Sequence, residues 1–353
     1  MREFEAIIYG SYGYTGELIT EACVAGDLKV LLSGRDASKL KRQSKATGYP
    51  FEVADLDDLF GLAILLRKAK LVIHCAGPFQ STAKQMVEAC LETGTHYIDI
   101  TGEYPVFEML AAYNAIARRK GILIMPGAGF DVVPSDCLAV HLKNRLPGAT
   151  HLQLAFTMSK GGVSRGTART MVEGLGYGSM IRKEGRLTPI ALGDKVLEID
   201  FGDFKKKALC IPWGDIATAW RSTGIPNIEV YSGVPERTIL VAKLSRWFNW
   251  LLRKQWIKSY LRKKVDARPA GPDAHRLHSG KSYLWGRVRD DKGNFAEARL
   301  QTISGYLLTS KTTVLIAAKL LSSTARPGYH TPAEYFGEGL IFEVEGSSWV
   351  RSG

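Results

Sequence analysis

The 353-residue sequence holds no apolar run of the roughly 18 residues needed to span a bilayer, so a membrane-spanning chain is not expected. Cysteine is scarce. Cys23, Cys75, Cys90, Cys137 and Cys210 lie far apart with no CxxC pair, which argues against a disulfide framework and for buried thiols in a reducing compartment. The seven histidines form no His-x-x-x-His pair and no mixed cluster with cysteine, so no metal site is expected. Acid is short relative to base. Thirty-five Asp and Glu stand against 47 Lys and Arg, a net charge of +12, which points to an anionic partner. That partner is a phosphorylated cofactor, an acidic substrate, an anionic membrane or nucleic acid. No nucleic-acid recognition module accompanies the charge, and that last class is set aside. The first apolar run begins at Phe4, which leaves no room for a leader peptide, and a cytoplasmic protein is expected.

What remains is an ordinary globular composition, 45% hydrophobic and 23% charged, at a length that favours two domains. Its organising stretch is Tyr9-Gly10-Ser11-Tyr12-Gly13-Tyr14-Thr15-Gly16, between the apolar run Phe4 to Tyr9 and a helical pattern from Glu17 to about Ala25. Strand, glycine turn and helix follow in the order a dinucleotide pyrophosphate needs. Gly10 allows the tight turn, Gly13 lets the backbone approach the phosphates, and Gly16 lets helix and sheet pack closely.

Strand-like runs at 28–33, 49–54, 70–75, 95–100 and 121–125 alternate with helical patterns, the last of these helices running to about Lys120. Six strands with crossover helices predict an α/β fold, a Rossmann doubly wound parallel sheet over residues 1–133. Such a sheet binds ligands beyond the carboxyl ends of its strands. The loops at those ends are 10–16, 33–39, 76–80, 101–104 and 126–136. Ser33-Gly34-Arg35, with Lys39 one turn on, stands where an NAD site would place an acid, so a bidentate Arg35 and a Ser33 hydroxyl favour the 2′-phosphate of NADP(H). Asp55 holds the adenine amino group or caps the next helix. Ala76-Gly77-Pro78-Phe79 ends the fourth strand, where the nicotinamide ribose passes.

These blocks, with Thr95 to Glu103 and Gly129 to Asp136, resemble the saccharopine dehydrogenase-like oxidoreductases, in particular the branch that includes trans-acting enoyl reductases. The likeness continues through Gly166-Thr-Ala168, Pro212 to Asp215, Ser222 to Tyr231, Gly305 to Thr309 and Thr331 to Gly337. The resemblance implies an NADP(H)-binding domain, an α+β substrate and dimerisation domain over 134–304, and a C-terminal segment, 305–353, packing back near the first. It does not imply saccharopine as substrate.

Hydride transfer needs positioning and a proton donor or acceptor. Asp131 and Glu103, in the loops after the sixth and fifth strands, are the catalytic candidates; helix capping by Asp131 or Ser135 is the alternative. Asp99, inside a strand, is expected as a buried hydrogen-bond partner. In the second half, residues 149–158 read as a strand, 161–185 as a glycine-spaced turn and helix, and 186–211, 225–231, 282–290 and 293–301 as strands of a mixed sheet that suits a homodimer. Gly161 to Thr167 is a glycine-rich loop for substrate or phosphate, and 265–281 a mobile loop. Residues 239–264 carry eight Lys and Arg and no acid, with two helices expected around a break near 253–255. Either this pair packs on its own core or on a partner copy, or it lies peripherally on an anionic membrane. The functional expectation is an NADPH-dependent oxidoreductase reducing a C=C, C=N or C=O bond of a small or lipid-like substrate. The alternative is a non-catalytic NADP(H)-binding sensor or scaffold at a membrane.

Overall fold

A computed structural model describes residues 2–159 and 162–350. Gly161, in the glycine-rich loop, lies outside the described residues. The chain divides into two compact units. The first takes the chain up to Val133 and then Tyr306–Tyr335; the second takes Pro134–Gly305 and the chain from Phe336. The segment expected as one C-terminal piece, 305–353, is thus shared between them.

In the first unit, β1 (Phe4–Tyr9), β2 (Val30–Gly34), β3 (Phe51–Val53), β4 (Ala69–His74), β5 (His96–Asp99) and β6 (Leu123–Met125) form a parallel sheet in the order β6-β5-β4-β1-β2-β3. The order reverses between β1 and β4, and the carboxyl ends of both strands flank that crevice. Ile7, Val72, Tyr97 and Ile124 are fully buried, as parallel strands covered by helices on both faces require. Crossover helices span Tyr14–Ala25, Ala37–Thr47, Leu59–Leu66 and Phe79–Thr93. The helix expected to run to Lys120 is instead two, Tyr104–Ala111 and Asn114–Lys120. The break frees Asn114, whose Oδ1 accepts the Tyr329 N–H at 3.0 Å. Tyr329 belongs to a seventh strand, Gly328–Tyr329, added in parallel beside β6.

In the second unit, β7 (His151–Met158), β8 (Ser179–Lys183), β9 (Arg186–Ile190), β10 (Val196–Asp200), β11 (Lys205–Cys210), β12 (Asn227–Gly233), β13 (Lys281–Arg289) and β14 (Phe295–Ile303) build a mixed sheet. Its order is β10-β11-β12-β7-β13-β14, with Ser348–Trp349 beside β14. Among the described residues, only β7 and β12 pair in parallel there. Two expectations fail here. Residues 179–183 are strand, not helix, because Glu184 and Gly185 both take positive φ and close a two-residue hairpin into β9. Residues 265–281 are not one loop: a helix runs to Asp266, and Asp273 caps another over Ala274–Ser279 by accepting the Arg276 N–H at 2.9 Å.

Candidate functional site

The site is built in the first unit. β1 ends at Tyr9, and Gly10 turns away with φ +80°. The Gly10 N–H donates to Ser33 O at 2.8 Å, and the Gly13 N–H donates to Gly10 O at 3.1 Å. A Cβ on Gly10 would stand 2.9 Å from the Ala76 Cβ, and one on Gly16 would stand 2.4 Å from Gly10 O. Both are closer than side chains pack, so glycine is required at each. Helix Tyr14–Ala25 opens from Gly13 without a side-chain cap, so Tyr14, Thr15 and Gly16 form its first turn, the positive end that suits a pyrophosphate.

Ser11 is fully buried and faces the other way. Its hydroxyl donates to Gln43 Oε1 at 2.7 Å, and Gln43 Nε2 donates back to Ser11 O at 2.9 Å and to Thr20 Oγ1 at 3.2 Å. Its side chain therefore braces the turn, and any contact to phosphate is left to the backbone. Gln43 had no sequence signal: it is one polar residue within a polar helix.

The second loop lies beside it. The Tyr12 ring occupies the space a Cβ on Gly34 would need, 2.6 Å away, and its hydroxyl accepts the Asp36 N–H at 3.3 Å. Asp36 caps helix Ala37–Thr47 through the Lys39 N–H at 3.0 Å, while Lys39 Nζ sits 3.5 Å from Asp36 and 5.4 Å from the Tyr12 ring. Lys39 thus stands exposed beside Asp36 and Tyr12. Arg35 is exposed, and the Ser33 hydroxyl is fully buried with no hydrogen-bond partner among the described residues. A buried hydroxyl in that state costs stability until something accepts or donates to it, which fits a ligand at this position. Asp55 does not cap the following helix. It accepts the Asp57 N–H at 3.1 Å, and Asp58 caps helix Leu59–Leu66 through the Gly61 N–H at 3.0 Å.

The third loop runs through a cis Gly77–Pro78 bond into helix Phe79–Thr93. Glu103 accepts the N–H groups of Phe79 and Gln80, each at 3.0 Å, with one carboxylate oxygen apiece. It therefore acts as a borrowed N-cap, supplied by the turn after β5. Thr82 Oγ1 donates to Ala76 O at 2.7 Å. His74 Nε2 lies 3.0 Å from that Thr82 hydroxyl, and burial pushes this imidazole down to about 3, so it is neutral.

Asp131 stands against the turn that carries Glu103: a Cβ on Gly102 would lie 2.7 Å from Asp131 Oδ2. Burial, then the charge of Glu103, pushes the Asp131 carboxyl up to about 7. Asp99 is wholly buried and accepts from Tyr97 Oη at 2.6 Å and from the N–H groups of Thr101 and Gly127 at 2.9 Å each. Burial raises it to about 6 against the lowering effect of those bonds. Ser135 does not cap its helix; its hydroxyl donates to Asp215 Oδ1 at 2.6 Å in the second unit. Helix Gly305–Leu321 brings two residues that strand-by-strand reasoning missed. The Tyr306 ring meets the Tyr14 ring edge-on at 5.2 Å, and Thr309 Oγ1 accepts the Phe130 N–H at 3.0 Å. Their only trace in the sequence is the Gly305 to Thr309 block. Among the described residues no group of His, Cys, Asp and Glu could hold a metal ion.

Residues 6–125 match the family model of the saccharopine dehydrogenase NADP binding domain. Over that stretch the chain is similar to the saccharopine dehydrogenase-like proteins. A mouse saccharopine dehydrogenase-like oxidoreductase is 30% identical over 207 residues, 52% of this chain and 48% of that protein. A Mycobacterium tuberculosis protein that carries the name trans-acting enoyl reductase is 33% identical over 192 residues, 50% of this chain and 46% of its own. The chain thus spans about half the length of the curated relatives it matches. The apo saccharopine dehydrogenase (L-Glu forming) of Saccharomyces cerevisiae shares the fold over 99% of this chain and 100% of its own, with a TM-score of 0.64 at 12% identity. A nicotinamide dinucleotide is the cofactor that the matched domain binds, and the tight turn, the uncapped helix and the unpartnered Ser33 hydroxyl fit it.

Proposed function

We propose that the protein is an NADPH-dependent reductase of a C=C, C=N or C=O bond in a small or lipid-like substrate. When bound, the dinucleotide supplies a hydride. The backbone of Gly10 to Gly16 and the start of helix Tyr14–Ala25 hold its pyrophosphate, while Ser33 and Arg35 recognise the 2′-phosphate. Ala76 to Phe79 borders the nicotinamide half, fixed there by Glu103 on Phe79 and Gln80.

Reduction adds one hydride and one proton across the double bond. The observation that carries the reading is the Asp131 carboxyl, raised to about 7 beside the Glu103 turn, in the same unit as the glycine turn. A carboxyl in that range is about half protonated at neutral pH, and its protonated form gives the proton to the substrate atom that does not receive the hydride. Glu103, with both oxygens committed to backbone amides, positions the loop and keeps Asp131 protonated. The name of the mycobacterial relative supports an enoyl acceptor as the first to try.

The test is NADPH consumption by the purified chain against a panel of enoyl, imine and keto acceptors. Turnover with one class supports the reading and names the bond. Tight NADPH binding without turnover across the whole panel favours a sensor or scaffold instead.

A further inference from the structure

The segment expected to be helical and basic folds as helices Glu236–Ser245, Asn249–Leu252 and Gln255–Asp266, with a 3-10 turn at Arg246–Phe248 and the break at Arg253–Lys254. Its polarity is inverted. Several cations face the protein. The Lys258 ammonium is buried and donates to Glu173 O at 2.6 Å, Arg262 pairs with Glu173 at 2.7 Å, and Arg253 donates to Gly176 O at 2.9 Å while its guanidinium lies 5.1 Å from the Tyr177 ring. Val265 packs with Ala168 and Val172 on the same side. Those contacts fix which face of helix Gln255–Asp266 is inward. Ile239 and Ala242 are buried with Val265, but large apolar residues are left outside: Trp247, Trp250 and Trp256 are 68%, 64% and 67% exposed, and Leu240, Leu244 and Tyr260 are more than half exposed.

Exposed aromatics of this size, unbroken by acid, are far more than a solvated surface carries. Lys243, Lys254, Lys263 and Lys264 are exposed among them, and residues 239–264 contain no Asp or Glu. Tryptophan, with an apolar body and one N–H, suits the boundary between acyl chains and headgroups, and lysine suits anionic headgroups. The longest of these helices has 12 residues, about 18 Å, which is too short to cross a bilayer core of about 30 Å but suits lying in its surface. We propose that the outer face of residues 239–264 is a docking surface for anionic phospholipid, with the tryptophans inserted at the headgroup boundary and the lysines on the phosphates. Charge complementarity selects this occupant over a second copy, since two copies of an acid-free basic face repel one another.

The experiment is co-sedimentation of the full chain with vesicles of phosphatidylcholine alone and of phosphatidylcholine with phosphatidylserine. Two variants accompany it, Trp247→Ser/Trp250→Ser/Trp256→Ser and Lys243→Glu/Lys254→Glu/Lys263→Glu/Lys264→Glu. Each substituted side chain is exposed, and NADPH titration reports whether the fold survives. The wild type is expected on anionic vesicles and largely absent from neutral ones, with binding weakened by salt. The tryptophan variant should bind at least about tenfold more weakly and the charge-reversed variant at least about a hundredfold. Equal recovery in the supernatant with both vesicle types overturns the proposal, as does undiminished binding by the folded variants. So does a wild-type dimer that the tryptophan variant dissolves while vesicles capture neither protein.

Discussion

Glu103 accepts the backbone N–H of Phe79 at 3.0 Å, tying the turn after β5 to the cis Gly77–Pro78 bend after β4. Its second oxygen takes the Gln80 N–H, so one side chain from another loop caps helix Phe79–Thr93. Glu103→Ala leaves both amides without that acceptor and is expected to cost about 1–2 kcal/mol of stability, with a raised KM for NADPH. Glu103→Gln keeps an acceptor for one amide but removes the charge that holds Asp131 protonated. Its rate should therefore fall off at lower pH than the wild type's. Denaturant titration and a pH–rate profile check the two effects separately.

Asp131 has a pKa near 7, above that of an unfolded aspartate. The folded protein holds this proton more tightly than the unfolded chain does, so its stabilising effect is complete at low pH and declines as pH rises from about 4 to about 7. Asp131→Asn removes that decline. At pH 8 the variant should be the more stable by on the order of 2 kcal/mol, allowing for the group's residual solvent access. As proton donor, wild-type Asp131 gives a reduction rate that is flat below pH about 7 and falls tenfold per pH unit above it. Asp131→Asn should lose that limb together with at least about a hundredfold in kcat. A variant that keeps both the rate and the limb rules Asp131 out as the donor.

The glycines separate folding from binding. A Cβ on Gly16 meets backbone oxygen at 2.4 Å, whereas one on Gly13 comes to 3.3 Å from Gly10 O, a gap that a small shift relieves. Gly16→Ala is therefore expected to lose several kcal/mol and to bind no dinucleotide. Gly13→Ala should stay folded within about 1 kcal/mol of the wild type while losing at least about tenfold in NADPH affinity, because its Cβ intrudes on the phosphates. Thermal unfolding and fluorescence titration distinguish the two.

Gln43 makes three hydrogen bonds to Ser11 and Thr20 from the neighbouring helix. Gln43→Ala strands the buried Ser11 hydroxyl and should cost about 1–3 kcal/mol, with a smaller loss of NADPH affinity as the turn loosens. Denaturant midpoints of the single variant and of Ser11→Ala/Gln43→Ala check this, since the double variant should recover part of the loss.

The parallel sheet was legible because β1 and β4 are built on short apolar runs, Ala6 to Tyr9 and Leu71 to Ile73, and the glycine turn because Gly10 and Gly16 satisfy close approaches that no other residue can. Ser33 and Arg35 stand out in the sequence by their place at the end of β2 and just beyond it, and their role toward the cofactor is part of the proposal. The seventh strand, Gly328–Tyr329, was not: two residues carry no periodicity, and its place depends on Asn114, some two hundred residues earlier. The β8–β9 hairpin was hidden because its turn is Glu184-Gly185 and not the usual Asn-Gly or Asp-Gly. The split role of the basic helices was hidden as well. Periodicity gives two faces but not which one turns inward, and Glu173, on another helix, draws Lys258 and Arg262 toward the protein.

The most direct test of the account is titration of NADPH and NADH into the wild type and Arg35→Ala. The wild type should prefer NADPH. Arg35→Ala should lose about 10- to 100-fold in NADPH affinity while its NADH affinity stays unchanged. Unchanged NADPH binding in Arg35→Ala, or a wild type that takes NADH equally well, would contradict it.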